Sequence, residues 1–131
     1  MFPYLRTSIA ALRELGLYVI KHTDGNILPI LDDLLACNPH ALHSLDPQGG
    51  IDMADIKARA GGRVCLIGNV NCGLLDTGSD DEYLASARYA LQHGMPDFGY
   101  IFSTSNCVYT GMQLSRYERL LELLRTEGCY Q

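Results

Sequence analysis

Two side chains able to bind a metal ion, His22 and Asp24, follow a short apolar stretch and precede a Gly25-Asn26 turn. In an extended strand, residues two positions apart project from the same face. Imidazole nitrogen and carboxylate oxygen are both ordinary ligands of zinc. The spacing therefore makes the pair a candidate for two zinc ligands. A hydrogen-bonded histidine–aspartate pair at a turn is the alternative interpretation.

A thiol, Cys107, closes the polar run 103–107 after the last apolar stretch of the chain. It is a candidate metal thiolate or nucleophile, and a partly buried small side chain is the alternative. Cys72 is a reserve ligand, unless it packs within its loop. No CxxC pair occurs among the five cysteines. The other three are predicted to be free thiols without a chemical role: Cys37, Cys65 and Cys129. A disulfide framework and a closed zinc ribbon are thus not expected.

Four polar residues near the ends of apolar stretches are candidate substrate-binding residues: Asp46, Asn69, Cys72 and Asn106. Asp46 precedes Pro47 and equally suits a turn, and Gly68-Asn69 also has the composition of a turn. The remaining histidines, His40, His43 and His93, are expected at the surface. The chain contains neither a dinucleotide fingerprint nor a Walker loop.

Composition limits the kinds of partner. The chain has 131 residues, of which 47% are hydrophobic and 19% are charged, and its net charge is -5. These values are typical of a globular protein of one domain, expected here over residues 1–131. Without a basic patch, nucleic acid is not an expected partner. Without a long apolar segment or a signal peptide, no membrane association and a cytoplasmic location are expected.

The elements that must position these side chains alternate between strands and helices. Short apolar stretches predict strands at residues 17–21, 41–45, 64–67 and 100–103. Helical spacing of apolar residues precedes the first strand and follows each of the four. Asp52 is the predicted N-cap of one helix, and Ser79 with Glu82 predicts a capping box at another.

This order predicts an α/β fold made of four parallel βα units. A closed parallel barrel needs eight such units. The four units therefore form either a small open sheet or half of a barrel.

Four segments of the chain carry a family resemblance: 22–26, 52–61, 66–70 and 103–107. Taken in order, they resemble the uroporphyrinogen decarboxylase superfamily, which includes cobalamin-dependent and coenzyme M methyltransferases. The resemblance covers nearly the whole chain. It implies the C-terminal half of a TIM (β/α)8 barrel.

In the methyltransferase branch, the resemblance implies a zinc ion held by an HxC pair and a later cysteine. His22 matches the histidine and Cys107 the later cysteine, while Asp24 stands where the first cysteine would be. A His-Asp-Cys zinc site follows from this comparison. Zinc would lower the pKa of a bound thiol, so that a thiolate accepts a methyl group. The implied partners are a small methyl donor or acceptor and a corrinoid, free or on a corrinoid protein.

Two alternatives remain open. A decarboxylase-like lyase fits less well, because a histidine resembles the position of Cys107 in that branch. The chain also resembles only one barrel half, which favours a non-catalytic half-barrel as a third interpretation. Exposed strand edges predict a homo-oligomer both for a methyltransferase-like half-barrel and for a non-catalytic one.

Overall fold

A computed structural model describes residues 2–130, so Met1 and Gln131, the ends of the predicted 1–131 domain, lie outside the described residues. Four parallel strands form one sheet in the order β1-β2-β3-β4. Their bounds are Ile20–Thr23 for β1, Ala41–Ser44 for β2, Cys65–Val70 for β3 and Tyr100–Thr104 for β4. Each strand pairs with the next strand along the chain, which confirms the predicted parallel α/β architecture.

One helix precedes β1, others occupy the connections between the strands, and one follows β4. They are α1 (Phe2–Glu14), α2 (Leu31–Ala36), α3 (Met53–Ala60), α4 (Cys72–Thr77), α5 (Asp80–Gly94) and α6 (Leu114–Glu127). Short 3-10 turns at Leu28–Ile30 and Pro47–Gly49 precede α2 and α3. None of the helices within residues 2–130 combines the length and the apolar character needed to cross a membrane.

Side-chain hydrogen bonds start two of the helices as predicted. The Asp52 carboxylate accepts a hydrogen bond from the backbone N–H of Asp55 at 3.0 Å, which caps α3. Ser79 and Glu82 form the reciprocal contacts of a capping box at the start of α5. Such caps satisfy backbone donors that would otherwise have no partner in the first turn.

One face of the sheet packs into the core. Leu42, Leu66 and Tyr100 are consecutive partners in the sheet register and are all buried. They belong to the same buried cluster as Ile56 of α3 and Ala87 of α5. Burial of these apolar side chains supplies the main favourable free energy of the fold.

The opposite face carries the register row His22, His43, Ile67 and Ile101. Its two edge strands leave apolar side chains in solvent, since Ile20 is 57% exposed and Ile101 is 52% exposed. In a closed parallel barrel this alternating face points inwards. The four-stranded arrangement is therefore that of a partial TIM-barrel-like βα repeat.

The structure differs from the sequence-based expectation at three places. The first strand begins at Ile20 rather than residue 17, so His22 lies within β1. The third strand continues through Gly68 and Asn69 to Val70, where a turn was expected. A short helix, α4, replaces part of the expected loop after β3, because the Asn71 side chain accepts a hydrogen bond from the N–H of Leu74.

Candidate active site at the carboxyl edge of the sheet

Two histidines from neighbouring strands meet at the carboxyl edge. His22 of β1 is the register partner of His43 of β2, so both side chains lie on one face. Their Nδ1 atoms are 2.7 Å apart, and their ring centroids are 4.8 Å apart. On the other side of its ring, His22 Nε2 lies 3.4 Å from Asp24 Oδ1. The expected proximity of His22 and Asp24 is therefore present, and His43, expected only as a surface residue, joins them.

The environment of His43 favours its uncharged form. Partial burial is the main cause that lowers the pKa of this imidazole, and the neighbouring His22 lowers it further. The Asp24 carboxylate opposes this effect but is the weakest of the three causes. A neutral imidazole has one donor and one acceptor nitrogen, so the two facing nitrogens can share one hydrogen.

A buried serine links this histidine cluster to the loop after β4. The Ser44 hydroxyl lies 2.8 Å from Asp24 Oδ1 and 2.8 Å from the backbone oxygen of Ser105. Both oxygens are acceptors, and the hydroxyl carries one hydrogen to donate to them. Ser44 thereby connects the loop after β1 to the loop after β4. These two loops follow the strands at opposite edges of the sheet.

The backbone at this point is strained. Ser44 and Leu45 have φ angles of 89° and 48°, in a region that side chains other than glycine seldom occupy. Beside them, Gly68 has a φ of +121°, and a Cβ atom there would lie 2.2 Å from the Ser44 backbone oxygen. Only glycine can therefore occupy position 68. Strain of this kind is common where side chains are held for binding or chemistry.

Two of the predicted substrate-binding residues make hydrogen bonds within the fold. Asn69 is 3% exposed, and its amide nitrogen donates to the backbone oxygens of Leu45 and Ile51 at 2.7 and 3.0 Å. Asp46 accepts from the N–H of Gln48 at 3.0 Å, in the turn that its position before proline suggested. Both side chains thus hold the loop after β2. Their contact with a substrate stays a prediction.

The other predicted residues gather in a second cluster, here called the thiol pocket. It is a cavity of about 310 Å³ lined by Gln48, Cys72, Gly73, Asn106, Cys107 and Tyr109. The Cys72 sulfur lies 3.4 Å from the backbone oxygen of Cys107, and the Cys107 sulfur lies 3.3 Å from Asn106 Oδ1. Burial raises the pKa of the Cys72 thiol, so this sulfur stays protonated at neutral pH.

The predicted zinc ligands divide between the two clusters. The 3.4 Å between His22 Nε2 and Asp24 Oδ1 suits two donors on one tetrahedral zinc, for which bonds of about 2.0–2.2 Å give a similar separation. Cys107, in contrast, lies in the thiol pocket beside Cys72. Within residues 2–130, no three histidine, cysteine or acidic side chains are arranged to hold a metal ion. The complete His22-Asp24-Cys107 set therefore does not fit zinc in this arrangement.

Sequence reasoning grouped the three ligands because each lies near the carboxyl end of a strand. Ser44 does hold Asp24 and the backbone of Ser105 close together, but Cys107, two residues further on, lies in the thiol pocket. Sequence reasoning also missed His43. Its contact with His22 depends on the register between two strands, and spacing along the chain carries no information about register.

Comparison with protein families gives a match over nearly the whole chain. The family model described as uroporphyrinogen decarboxylase (URO-D) matches residues 1–127, a span that includes both clusters. No curated protein and no solved structure matches the chain.

Proposed function

The chain belongs to the uroporphyrinogen decarboxylase family, and we propose that it acts there as a methyltransferase-like member, transferring a methyl group to or from a thiol or a corrinoid. The observation that carries the proposal is the contact between His22, Asp24 and His43 at the carboxyl edge of the sheet. Ligands of parallel α/β folds bind at this edge. The proposed substrates are a small methyl donor or acceptor and a corrinoid, free or carried by a partner protein.

The histidine pair supports a defined step. When a thiol accepts a methyl group, its sulfur gains a bond to carbon and loses its proton, while the leaving group keeps the electron pair of the broken bond. A neutral imidazole at the edge can take that proton. Asp24 and Ser44 hold the pair in place, because Asp24 contacts His22 and accepts a hydrogen bond from Ser44. The proposed role of His43 is to orient the His22 ring through the contact between their Nδ1 atoms, so that His22 takes the proton.

The proposed step does not use zinc, because only two of the three predicted zinc ligands lie together. His22 and Asp24 offer a nitrogen and an oxygen at a suitable separation, and the third predicted ligand, Cys107, lies in the other cluster. The step described above therefore uses only side chains. Elemental analysis of the purified chain tests zinc separately: near-stoichiometric zinc that is lost in both His22→Ala and Cys107→Ser would support the three-ligand set.

The test of function uses methylcobalamin as methyl donor and 2-mercaptoethanesulfonate as thiol acceptor, and follows the loss of methylcobalamin absorbance. We expect turnover by the full chain. His22→Ala should lower the rate by about 10²-fold or more, the usual contribution of a positioned general base. His93→Ala is the matched control, because His93 lies on α5 beside Tyr89 and outside both clusters. Its rate should equal that of the unaltered chain.

Three outcomes would contradict the proposal. Equal rates for His22→Ala and the unaltered chain would remove the histidine pair from the reaction. Decarboxylation of uroporphyrinogen without methyl transfer would favour the lyase interpretation. No turnover of either substrate by folded protein would favour a non-catalytic role.

A further inference from the structure

The two cysteines of the thiol pocket belong to segments that three contacts hold together. The backbone N–H of Cys72 donates to the Ser105 hydroxyl oxygen at 3.3 Å. The Cys72 sulfur lies 3.4 Å from the backbone oxygen of Cys107. The Tyr109 hydroxyl donates to Asp76 of α4 at 2.6 Å. These contacts hold α4 and the loop after β4 together next to the two cysteines.

The two thiols differ in their access to solvent. Cys107 is exposed, whereas Cys72 is only 7% exposed, and both line the same cavity. A small reagent can reach the sulfur of Cys107 first. The sulfur of Cys72, 3.4 Å from the backbone oxygen of Cys107, lies beside the residue that has reacted. This combination of an accessible thiol and a sheltered neighbour suits thiol–disulfide exchange, which passes through a mixed disulfide.

We propose that Cys72 and Cys107 form a modification site that closes to an intramolecular disulfide by exchange with a small disulfide of the glutathione class. The Cys107 thiolate attacks one sulfur of oxidised glutathione, which forms a mixed disulfide and releases one glutathione thiolate. The Cys72 thiol gives its proton to the released glutathione thiolate, and its sulfur then attacks the Cys107 sulfur and releases the second glutathione thiolate. Two protein thiols are oxidised, one glutathione disulfide is reduced to two thiols, and the two thiol protons pass to the released thiolates.

Closure has a direct structural consequence. A bond between the two sulfurs joins α4 to the loop after β4 across the pocket and removes both free thiols from it. The site is independent of the proposed methyl transfer, because its formation requires neither His22 nor Asp24. Oxidation would, however, make Cys107 unavailable to any metal ion or thiol substrate.

The experiment uses the full chain carrying Cys129→Ser, which removes an exposed cysteine outside the pocket. The protein is incubated with oxidised glutathione, and intact mass and peptide mapping are recorded. We expect a loss of two hydrogen masses, a Cys72–Cys107 linked peptide and two glutathione thiols released per chain. With Cys72→Ser added, we expect the reaction to stop at a glutathione adduct on Cys107. With Cys107→Ser added, neither the adduct nor the linked peptide should form at the pocket.

The adduct trapped by Cys72→Ser distinguishes a missing partner thiol from a misfolded protein, and circular dichroism of each variant verifies the fold. A stable glutathione adduct on Cys107 while Cys72 is intact would overturn the proposal, because it would show that the two sulfurs do not meet. A linkage of either cysteine to Cys37 or Cys65 would overturn it as well. Failure of methyl transfer in the separate assay would leave this result unaffected.

Discussion

At the scale of single residues, polar side chains at the carboxyl edge serve two purposes. Asn69 is buried and uses its amide nitrogen to hold two backbone oxygens of the loop after β2. His22 and Asp24, in contrast, keep 47% and 53% of their side-chain surface in solvent. The buried side chain of Asn69 thus holds the backbone of this edge in position, whereas the exposed side chains of His22 and Asp24 are accessible to a ligand.

Asn69→Ala tests the building role. The substitution leaves the backbone oxygens of Leu45 and Ile51 without their side-chain donor in a buried position. Because a buried polar group without a partner costs about 1–3 kcal/mol, we expect the free energy of unfolding to fall by about 2–4 kcal/mol. Urea unfolding followed by circular dichroism measures the loss. The matched control, Gln92→Ala on the exposed side of α5, should change it by less than about 0.5 kcal/mol. An Asn69→Ala protein as stable as that control would contradict this role.

Residue-scale prediction from sequence succeeded where the interacting residues are close along the chain. The spacing of His22 and Asp24 was sufficient to anticipate their contact, and Asp46 before Pro47 was sufficient to suggest a turn. The contacts of His43 and Ser44 depend on strands brought together by the fold. The contact between His22 and His43 arises from the pairing register of β1 and β2, and no local sequence pattern predicts that register.

At the scale of elements, a side-chain hydrogen bond joins the start of α3 to α5, in addition to their apolar packing. Asp52 caps α3, and its second carboxylate oxygen accepts a hydrogen bond from the Tyr89 hydroxyl of α5 at 2.5 Å. This hydrogen bond is the main cause that lowers the pKa of Asp52, and the capping bond from Asp55 adds to it. The ionised carboxylate therefore stabilises the joint between the two helices.

Tyr89→Phe tests this joint through its pH dependence. Because folding lowers the pKa of Asp52, its stabilisation is present above the unfolded-state value of about 4 and is lost as the pH falls through the lower folded value. We expect the variant to be less stable by about 0.5–1 kcal/mol near pH 7, a small effect because the pair is exposed. Urea unfolding at several pH values should show this difference shrinking below about pH 4.

Tyr4→Phe is the matched control, because Tyr4 lies on α1 and is 81% exposed. It should unfold like the unaltered chain at every pH. A difference between Tyr89→Phe and the unaltered chain that is the same at acidic and neutral pH would contradict the assigned role of the Asp52 charge.

Most elements could be anticipated from the sequence, and the turn wrongly expected at Gly68-Asn69 has a physical explanation. Caps at Asp52 and Ser79 and apolar strands near residues 41 and 100 identified four elements correctly. Gly68-Asn69 resembles a turn because both residues tolerate positive φ, and both adopt it, at 121° and 72°. They do so inside β3, where close packing against Ser44 and hydrogen bonds to the loop after β2 require that backbone. Tertiary contacts, rather than local preference, decided this segment.

At the scale of the whole molecule, the two faces of the sheet have different surroundings. One face is covered by the helical core, and the other leaves Ile20 and Ile101 exposed on the two edge strands. Apolar groups on a sheet face and unpaired strand edges both favour association. The predicted homo-oligomer therefore remains the expected state in solution.

Light scattering coupled to size-exclusion chromatography tests this prediction. We expect a dimer or a larger oligomer of the unaltered chain. Ile20→Lys and Ile101→Lys place a charge on the open face, and each should shift the population towards monomer. Tyr4→Lys adds the same charge to an exposed site on α1 and should leave the oligomer unchanged. A monomeric unaltered chain would contradict the prediction and favour an independent open sheet.

The linear strand order has a consequence for how the chain acquires its structure. Since every strand pairs with the one that follows it in sequence, native contacts join segments that leave the ribosome one after another. Register partners are 21 residues apart between β1 and β2 (Ile20 and Ala41) and 34 apart between β3 and β4 (Leu66 and Tyr100), which is less than pairing with a non-adjacent strand would require. A shorter loop loses less entropy when it closes. The fold can therefore grow unit by unit from its amino end during synthesis, with each new βα unit docking on a template that is already present.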